Sequence, residues 1–288
     1  IINSNFNVMK KKGEMIMYQA LDVRLRPPYK SFATTAFYEG YKGDSEAARQ
    51  RSMELMIKEM DENGIALGVA VARESKWGGA AKNEDLPGLL AEYGDRFIGA
   101  PHIQYGAEIS AAETIDKYIT NGACKAVYME PGFRFEAEPM HADDKRLYPV
   151  YEILNEKKIP LLLQYGGGKN SIEYTNPVDV YHIAQDFPDM NILITHGGWP
   201  QVVTMLQVAF ALPNVYLSPD LYMRGYPGSQ EYVVAANGML KDRLCFGSAY
   251  PLTTLKEAVD MYLETGIKRD YLPDIMYNNA AKFLRLNK

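Results

Sequence analysis

The chain has 288 residues, of which 47% are hydrophobic and 23% charged, with a net charge of −5. That composition is ordinary for a globular domain, and its scattered Lys and Arg exclude a nucleic-acid surface or a polybasic membrane patch. No stretch approaches the roughly 18 apolar residues that span a bilayer, and the two cysteines, Cys124 and Cys245, sit in apolar runs as expected of buried, reduced thiols rather than of a disulfide framework.

Residues 9–15, MKKKGEM, are basic, but no apolar segment follows, so they are not read as a signal peptide. Residues 1–16 are expected to be an N-terminal extension or a tag remnant, residues 17–288 the domain, and the location cytoplasmic. The first strand is predicted at 17–23. A helix follows at 46–64, with Met53, Met56, Ile57 and Met60 on one face and an Asn-Gly stop. Strand 65–72, helix 86–95 and strand 96–103 come next. Helix 110–122 opens with Ser110 and Glu113 in capping-box spacing. Strand 124–130, helix 147–158, strand 159–168, helix 177–188, strand 191–198 and helix 199–213 continue the alternation. Strand 214–220, helix 229–240, strand 242–249, helix 254–266 and a last helix at 271–286 complete it.

Eight strands of continuous apolar character, each followed by a helix, predict parallel pairing buried on both faces. The fold expected is α/β, a single (β/α)8 TIM-type barrel with an extra C-terminal helix. An open doubly wound sheet is the alternative. No G-x-G-x-x-G joins the first strand to its helix, which argues against a dinucleotide site.

In such a barrel the chemistry lies at the C-terminal ends of the strands. The polar residues there are Asp22, Arg24 and Arg26; Arg73 and Glu74, with Trp77 nearby; His102 and Gln104; Lys125, Tyr128 and Glu130; Gln164 and Tyr165; His196; Asp220 and Tyr222; and Ser248 and Tyr250. The segments THGGWP (195–200), FGSAYP (246–251) and NNAAKFL (278–284), with the eight-unit order, resemble the amidohydrolase-2 group of the amidohydrolase superfamily. The resemblance implies hydrolase, lactonase or non-oxidative decarboxylase chemistry, usually on a bound metal. The departures fall on the metal ligands. Where the group has D-x-H-x-H, this chain has DVRLR, so Arg24 and Arg26 replace two imidazoles. Gln164 replaces a histidine, and Ala249 the aspartate of FGSDYP. One remaining histidine beside two guanidiniums cannot hold a divalent cation. No catalytic metal and no cofactor are therefore expected.

Arg24 and Arg26 alternate by two and so share one side of a strand. They are expected to clamp an anion, most directly a substrate carboxylate; the plain alternative is salt bridges to Asp22, Glu74 or Glu130. His196 is the candidate acid/base, with Glu130 and Asp220 as further catalytic carboxylates. Arg73, Lys125, Tyr128, Gln164, Tyr165, Trp199, Tyr222, Ser248 and Tyr250 are candidates to bind substrate. The aromatic-rich loop 26–43 reads as a lid or a subunit contact. The function expected is metal-independent hydrolysis of a lactone or ester bond in a small anionic substrate by a homodimer or higher homo-oligomer. Decarboxylation of an aromatic or unsaturated acid is the alternative, and a non-catalytic binding or partner subunit a second.

Overall fold

The computed structural model describes residues 7–11, 14–74, 78–105, 110–133, 138–168 and 171–286. β1 (Asn7–Lys11) and β2 (Glu14–Tyr18) form an antiparallel hairpin ahead of the barrel. The first barrel strand therefore starts at Ala20, later than predicted. β3 (Ala20–Leu25), β4 (Ile65–Val71) and β5 (Phe97–Ala100) pair in parallel. So do β6 (Val127–Met129), β7 (Leu161–Gln164), β8 (Ile192–Thr195) and β9 (Val215–Ser218).

Two irregular seams close the ring. A parallel bridge of His102 with Tyr128 joins β5 to β6. The eighth strand, predicted over 242–249, is not a regular ladder; bridges of Leu244 to Leu217 and of Tyr250 to Leu25 stand in its place. Backbone bonds from Cys245 N to Leu217 O (2.8 Å) and from Val23 N to Phe246 O (3.1 Å) complete the closure. Ala249 turns left-handed there (φ 56°), which takes the chain out of the extended conformation a ladder needs.

The helices are α1 (Glu46–Gln50), α2 (Met53–Glu62), α3 (Leu86–Tyr93), α4 (Ala111–Ile115), α5 (Tyr148–Glu156), α6 (Pro177–Asp186), α7 (Val202–Ala211), α8 (Ser229–Ala236), α9 (Leu255–Glu264) and α10 (Asn279–Phe283). The single helix expected at 46–64 is two, because Arg51 turns left-handed (φ 53°) and Ser52 caps α2 by accepting from Leu55 N. The capping box of α4 forms as its sequence predicts.

Alternation sorts the side chains into two cores. Leu21, Val23, Val71, Leu162, Leu193 and Tyr216 fill the barrel. Leu161, Leu163, Ile192, Ile194, Val215 and Leu217 pack against the helices. Burying such a side chain fully stabilises by ~1.5–3 kcal/mol. Phe283 of α10 joins the inner core beside Tyr216, ring centroids 5.5 Å apart. Cys124 and Cys245 are buried and free. Among the described residues no helix is long and apolar enough to cross a membrane.

β3 carries a register shift that decides the site. Asp22 pairs with Gly68 and Leu25 with Ala70, three steps against two, which is a β-bulge. Leu21 and Val23 face the barrel interior, whereas Leu25 faces the helices. The extra residue therefore turns Arg24 and Arg26 inward. Asp22 pins the bulge, its Oδ1 accepting from the amides of Arg24 and Ser248, both at 3.0 Å.

Candidate active site

The inward-facing strand ends are linked by a belt of polar side chains. Arg24 donates from Nη2 to Gln164 Oε1 at 2.7 Å, and its Nη1 lies 3.5 Å from Asp220 Oδ2. Tyr128 OH lies 2.5 Å from the same Gln164 oxygen and 3.0 Å from Glu130 Oε2. Glu130 Oε1 accepts from Arg73 Nε at 2.6 Å. All six side chains are buried, and each guanidinium in the belt meets an acid, as burial of charge requires. Burial pushes the Arg24 pKa down, but Tyr128 and Asp220 outweigh it and the net shift is upward.

His196 hangs from this belt. Its Nδ1 is 2.9 Å from Asp220 Oδ1 and its backbone N is 3.1 Å from Oδ2. A carboxylate only accepts, so Nδ1 carries the proton and Nε2 keeps its lone pair. Burial lowers the imidazole pKa; Asp220 opposes the shift, while Arg24 and Arg26 reinforce it.

Arg26 is outside the belt. Its guanidinium lies 5.0 Å from the Phe37 ring centroid and 5.9 Å from that of Tyr128. It is 2% exposed, its Nε has no hydrogen-bond partner, and among the described residues no acid is paired with it. Burial, then repulsion from Arg24, depresses its pKa to about 10.

These groups surround a cavity of about 380 Å³. Arg24, Arg26, Glu39, Tyr41, Arg73, Gln164, His196 and Tyr222 supply its polar lining, and Phe37, Phe133, Leu221 and Leu252 its apolar walls. The Arg73 guanidinium stacks 4.3 Å from the Phe133 centroid. Tyr222 OH accepts from Gly168 N at 2.9 Å, and its ring stacks on Trp199 at 4.8 Å and 14°.

The loop expected to be a lid forms one wall through Ala36, Phe37, Glu39, Gly40 and Tyr41. Phe32 and Tyr38 are buried beneath it, and Tyr38 OH bonds to Arg26 O at 2.5 Å. Gly167 (φ 88°) shapes the opposite side, where a Cβ would lie 2.9 Å from His196 Cδ2. Gly167→Ala is therefore expected to destabilise by ~1 kcal/mol and to lower kcat at least about tenfold by displacing the imidazole. Steady-state kinetics with unchanged kcat would show that His196 does not depend on this close approach.

The cavity brings together Arg24, Arg26, Arg73, Gln164, His196 and Tyr222 of the residues singled out in the sequence. Asp220, Glu130 and Tyr128 stand behind them as partners and do not line it. The others lie elsewhere. Lys125 is exposed and precedes β6, at the opposite end of that strand from the site. Tyr165 turns outward to bond Asp179. Tyr250 likewise reaches Ser45 Oγ (2.9 Å), and Ser248 is buried with its Oγ on Tyr250 N (2.9 Å). Trp199 supports Tyr222 from outside the cavity, its indole N–H on Pro227 O. Trp77 is outside the described residues.

Ala249 keeps a left-handed backbone that Asp tolerates better than Ala, at a cost of order 1 kcal/mol. Phe37 and Glu39 line the cavity from the loop read as a lid, whereas nothing in the sequence singles out Phe133 or Leu221. They come from loops whose path only the assembled fold fixes.

The profile of the Amidohydrolase family matches residues 34–286. The chain belongs to the amidohydrolase family. It is an enzyme of that superfamily. Among solved structures it is similar to an uncharacterized TIM-barrel protein, Bb4693 of Bordetella bronchiseptica, at 35% identity. That match covers 93% of this chain and 98% of the other, with a TM-score of 0.84. A 2,6-dihydroxybenzoate decarboxylase from Rhizobium matches at 14% identity over 94% and 100% of the two chains, TM-score 0.73. A 5-carboxyvanillate decarboxylase from Sphingomonas paucimobilis matches at 14% over 93% and 99%, TM-score 0.64. At such identities these two share the fold. No curated protein matches the sequence.

The family's usual metal does not fit the residues at its position. The Arg24 guanidinium already lies between Gln164 and Asp220, and Arg26 adds a second cation beside it. At short range both repel a divalent ion. A separate group, His141, Asp143 and Asp179, brings three ligand-type atoms within 4.8 Å of one another, but none of the three lines the cavity. Asp179 there takes His141 at 2.9 Å, and Asp143 takes His182 at 2.7 Å.

Proposed function

We propose that this enzyme removes CO2, without a metal, from a small aromatic or unsaturated carboxylic acid. The observation that carries the reading is Arg26, a buried guanidinium with no acid paired to it among the described residues, in the wall of a largely apolar cavity. Such a charge is costly until an anion arrives, and a carboxylate offers it bidentate bonds. The solved decarboxylases of 2,6-dihydroxybenzoate and 5-carboxyvanillate, alike over the whole barrel, support the same chemistry.

Arg26 holds the carboxylate, while Phe37, Phe133, Leu221 and Leu252 strip water from the rest of the acid. The C–CO2 bond breaks, and its electron pair passes to the carbon, which takes a proton. Arg24 and Arg73 stabilise the charge as it moves. His196 delivers the proton from Nε2. Burial and the arginines lower its pKa and favour the neutral form; a bound carboxylate offsets the arginines and favours the imidazolium, which Asp220 stabilises.

One observation favours a second reading. A neutral His196 with a free Nε2 lone pair suits activation of water, hence hydrolysis of a lactone. The test is chelator-treated enzyme with benzoic acids and lactones, assayed for CO2 and for ring-opened acid. CO2 release, unchanged by added Mn2+ or Zn2+, is expected. Lactone opening without CO2 would replace the proposal with the second reading. Activity lost on chelation and restored by metal would end its metal-free part.

A further inference from the structure

Among the described residues, each buried guanidinium of the site except one has an acid opposite it. Arg24 has Asp220, and Arg73 has Glu130. Asp22, a third buried acid, holds the amides of Arg24 and Ser248 instead of a guanidinium. Arg26, with no acid paired to it among the described residues, is left to anchor the substrate. A further carboxylate, Glu39, lines the cavity from the loop between β3 and α1, where it is exposed to solvent. No cation among the described residues is paired with it.

We infer that Glu39 sets the charge of the substrate: the cavity takes an acid bearing one carboxylate, on Arg26, and Glu39 turns away a second. This rests on the carboxylate reading of the site. A second carboxylate has three places to go. Beside Arg24 or Arg73 it competes with Asp220 or Glu130 for the guanidinium, and an acid pushed aside stays buried without its counter-ion. Against Phe37, Phe133 or Leu221 it loses its hydration with no donor in exchange. At the mouth it meets Glu39, a like charge. Discrimination of this kind comes from repulsion built against the wrong ligand, beyond attraction for the right one.

The probes are benzoate and isophthalate, one ring with one or two carboxylates, titrated calorimetrically into the full-length protein. Wild type is expected to bind benzoate at least about tenfold more tightly. In Glu39→Gln, a change at an exposed side chain that leaves the core intact, isophthalate should gain about fivefold and benzoate stay unchanged. Isophthalate binding as tightly as benzoate to wild type would overturn the inference. So would a Glu39→Gln change that moves both acids alike. In either case benzoate binding keeps the carboxylate reading alive. If wild type binds neither acid, that reading falls and the inference with it.

Discussion

Replacing Arg26 with methionine should weaken carboxylate binding about 100-fold and at the same time make the protein more stable. Arg26 is depressed to about 10 by burial and by Arg24. A base with a lowered folded-state pKa favours unfolding at every pH below that value, where the unfolded chain keeps the charge more easily. From an ordinary 12.5 to about 10, the cost is on the order of 3 kcal/mol across the neutral range. Methionine keeps an apolar stem against Phe37 and Tyr128 and removes the charge. Tm should therefore rise by several degrees, while Kd for benzoate weakens about 100-fold, the usual scale for removing one partner of a buried ion pair. Benzoate should raise the Tm of wild type but not of the variant. Arg24→Met is the contrast. It strips Asp220 and Gln164 of a donor and should destabilise by ~3–5 kcal/mol. Unchanged benzoate affinity in Arg26→Met, measured by calorimetry beside a thermal melt, would remove Arg26 as the anchor.

The opposite behaviour expected of two arginines two residues apart marks how far the sequence could be read. The barrel was legible because parallel strands buried on both faces are continuous apolar runs, and IPLLLQ and NILIT carry that signature whatever surrounds them. The facing of Arg24 and Arg26 was half legible. Alternation puts them on one side together, but Leu21 and Val23 claim the interior, and strict alternation would send both arginines outward. Only the bulge reverses that, and it depends on Asp22 gripping Ser248, 226 residues away. Pairing was legible only as an alternative, and the partners differ from those it named for Arg24 and Arg26. Arg24, Arg26 and Arg73 are the same residue type at equivalent places, and which ones find an acid is a property of the closed ring. Glu130 and Asp220, read as candidate bases, proved to be counter-ions to Arg73 and Arg24 for that reason, although Asp220 also orients His196. Lys125 went astray by position along a strand. The predicted strand began at 124, its regular part begins at Val127, and a residue near the start of a barrel strand lies at the face away from the chemistry.

Asp220→Asn should leave the substrate bound and stop the reaction. Asp220 does not itself line the cavity but holds His196 by Nδ1 and by its backbone amide. The amide keeps the size, gives up one of the two accepting oxygens and loses the charge that balances an imidazolium. We expect kcat to fall by about 10²–10⁴ with KM within about threefold, the reverse of Arg26→Met, which acts on KM. A purely structural role would lower the amount of folded enzyme without moving the pH profile, so the profile is the deciding measurement. His196 has a folded-state pKa below the ordinary 6.5, through burial first. Folding thus favours its neutral form: the stability it contributes is full above pH 6.5 and is lost as the pH falls below that value. In catalysis the sign separates the two chemistries. If His196 protonates carbon, kcat/KM falls as the pH rises through the free enzyme's low pKa. The same limb in kcat lies at higher pH, because the bound carboxylate offsets Arg24 and Arg26. If His196 instead activates water, kcat/KM rises over that interval. Removing Asp220 should shift either limb to lower pH, since the carboxylate is what holds the imidazole pKa up against burial. A limb that stays in place would separate His196 from the proton transfer.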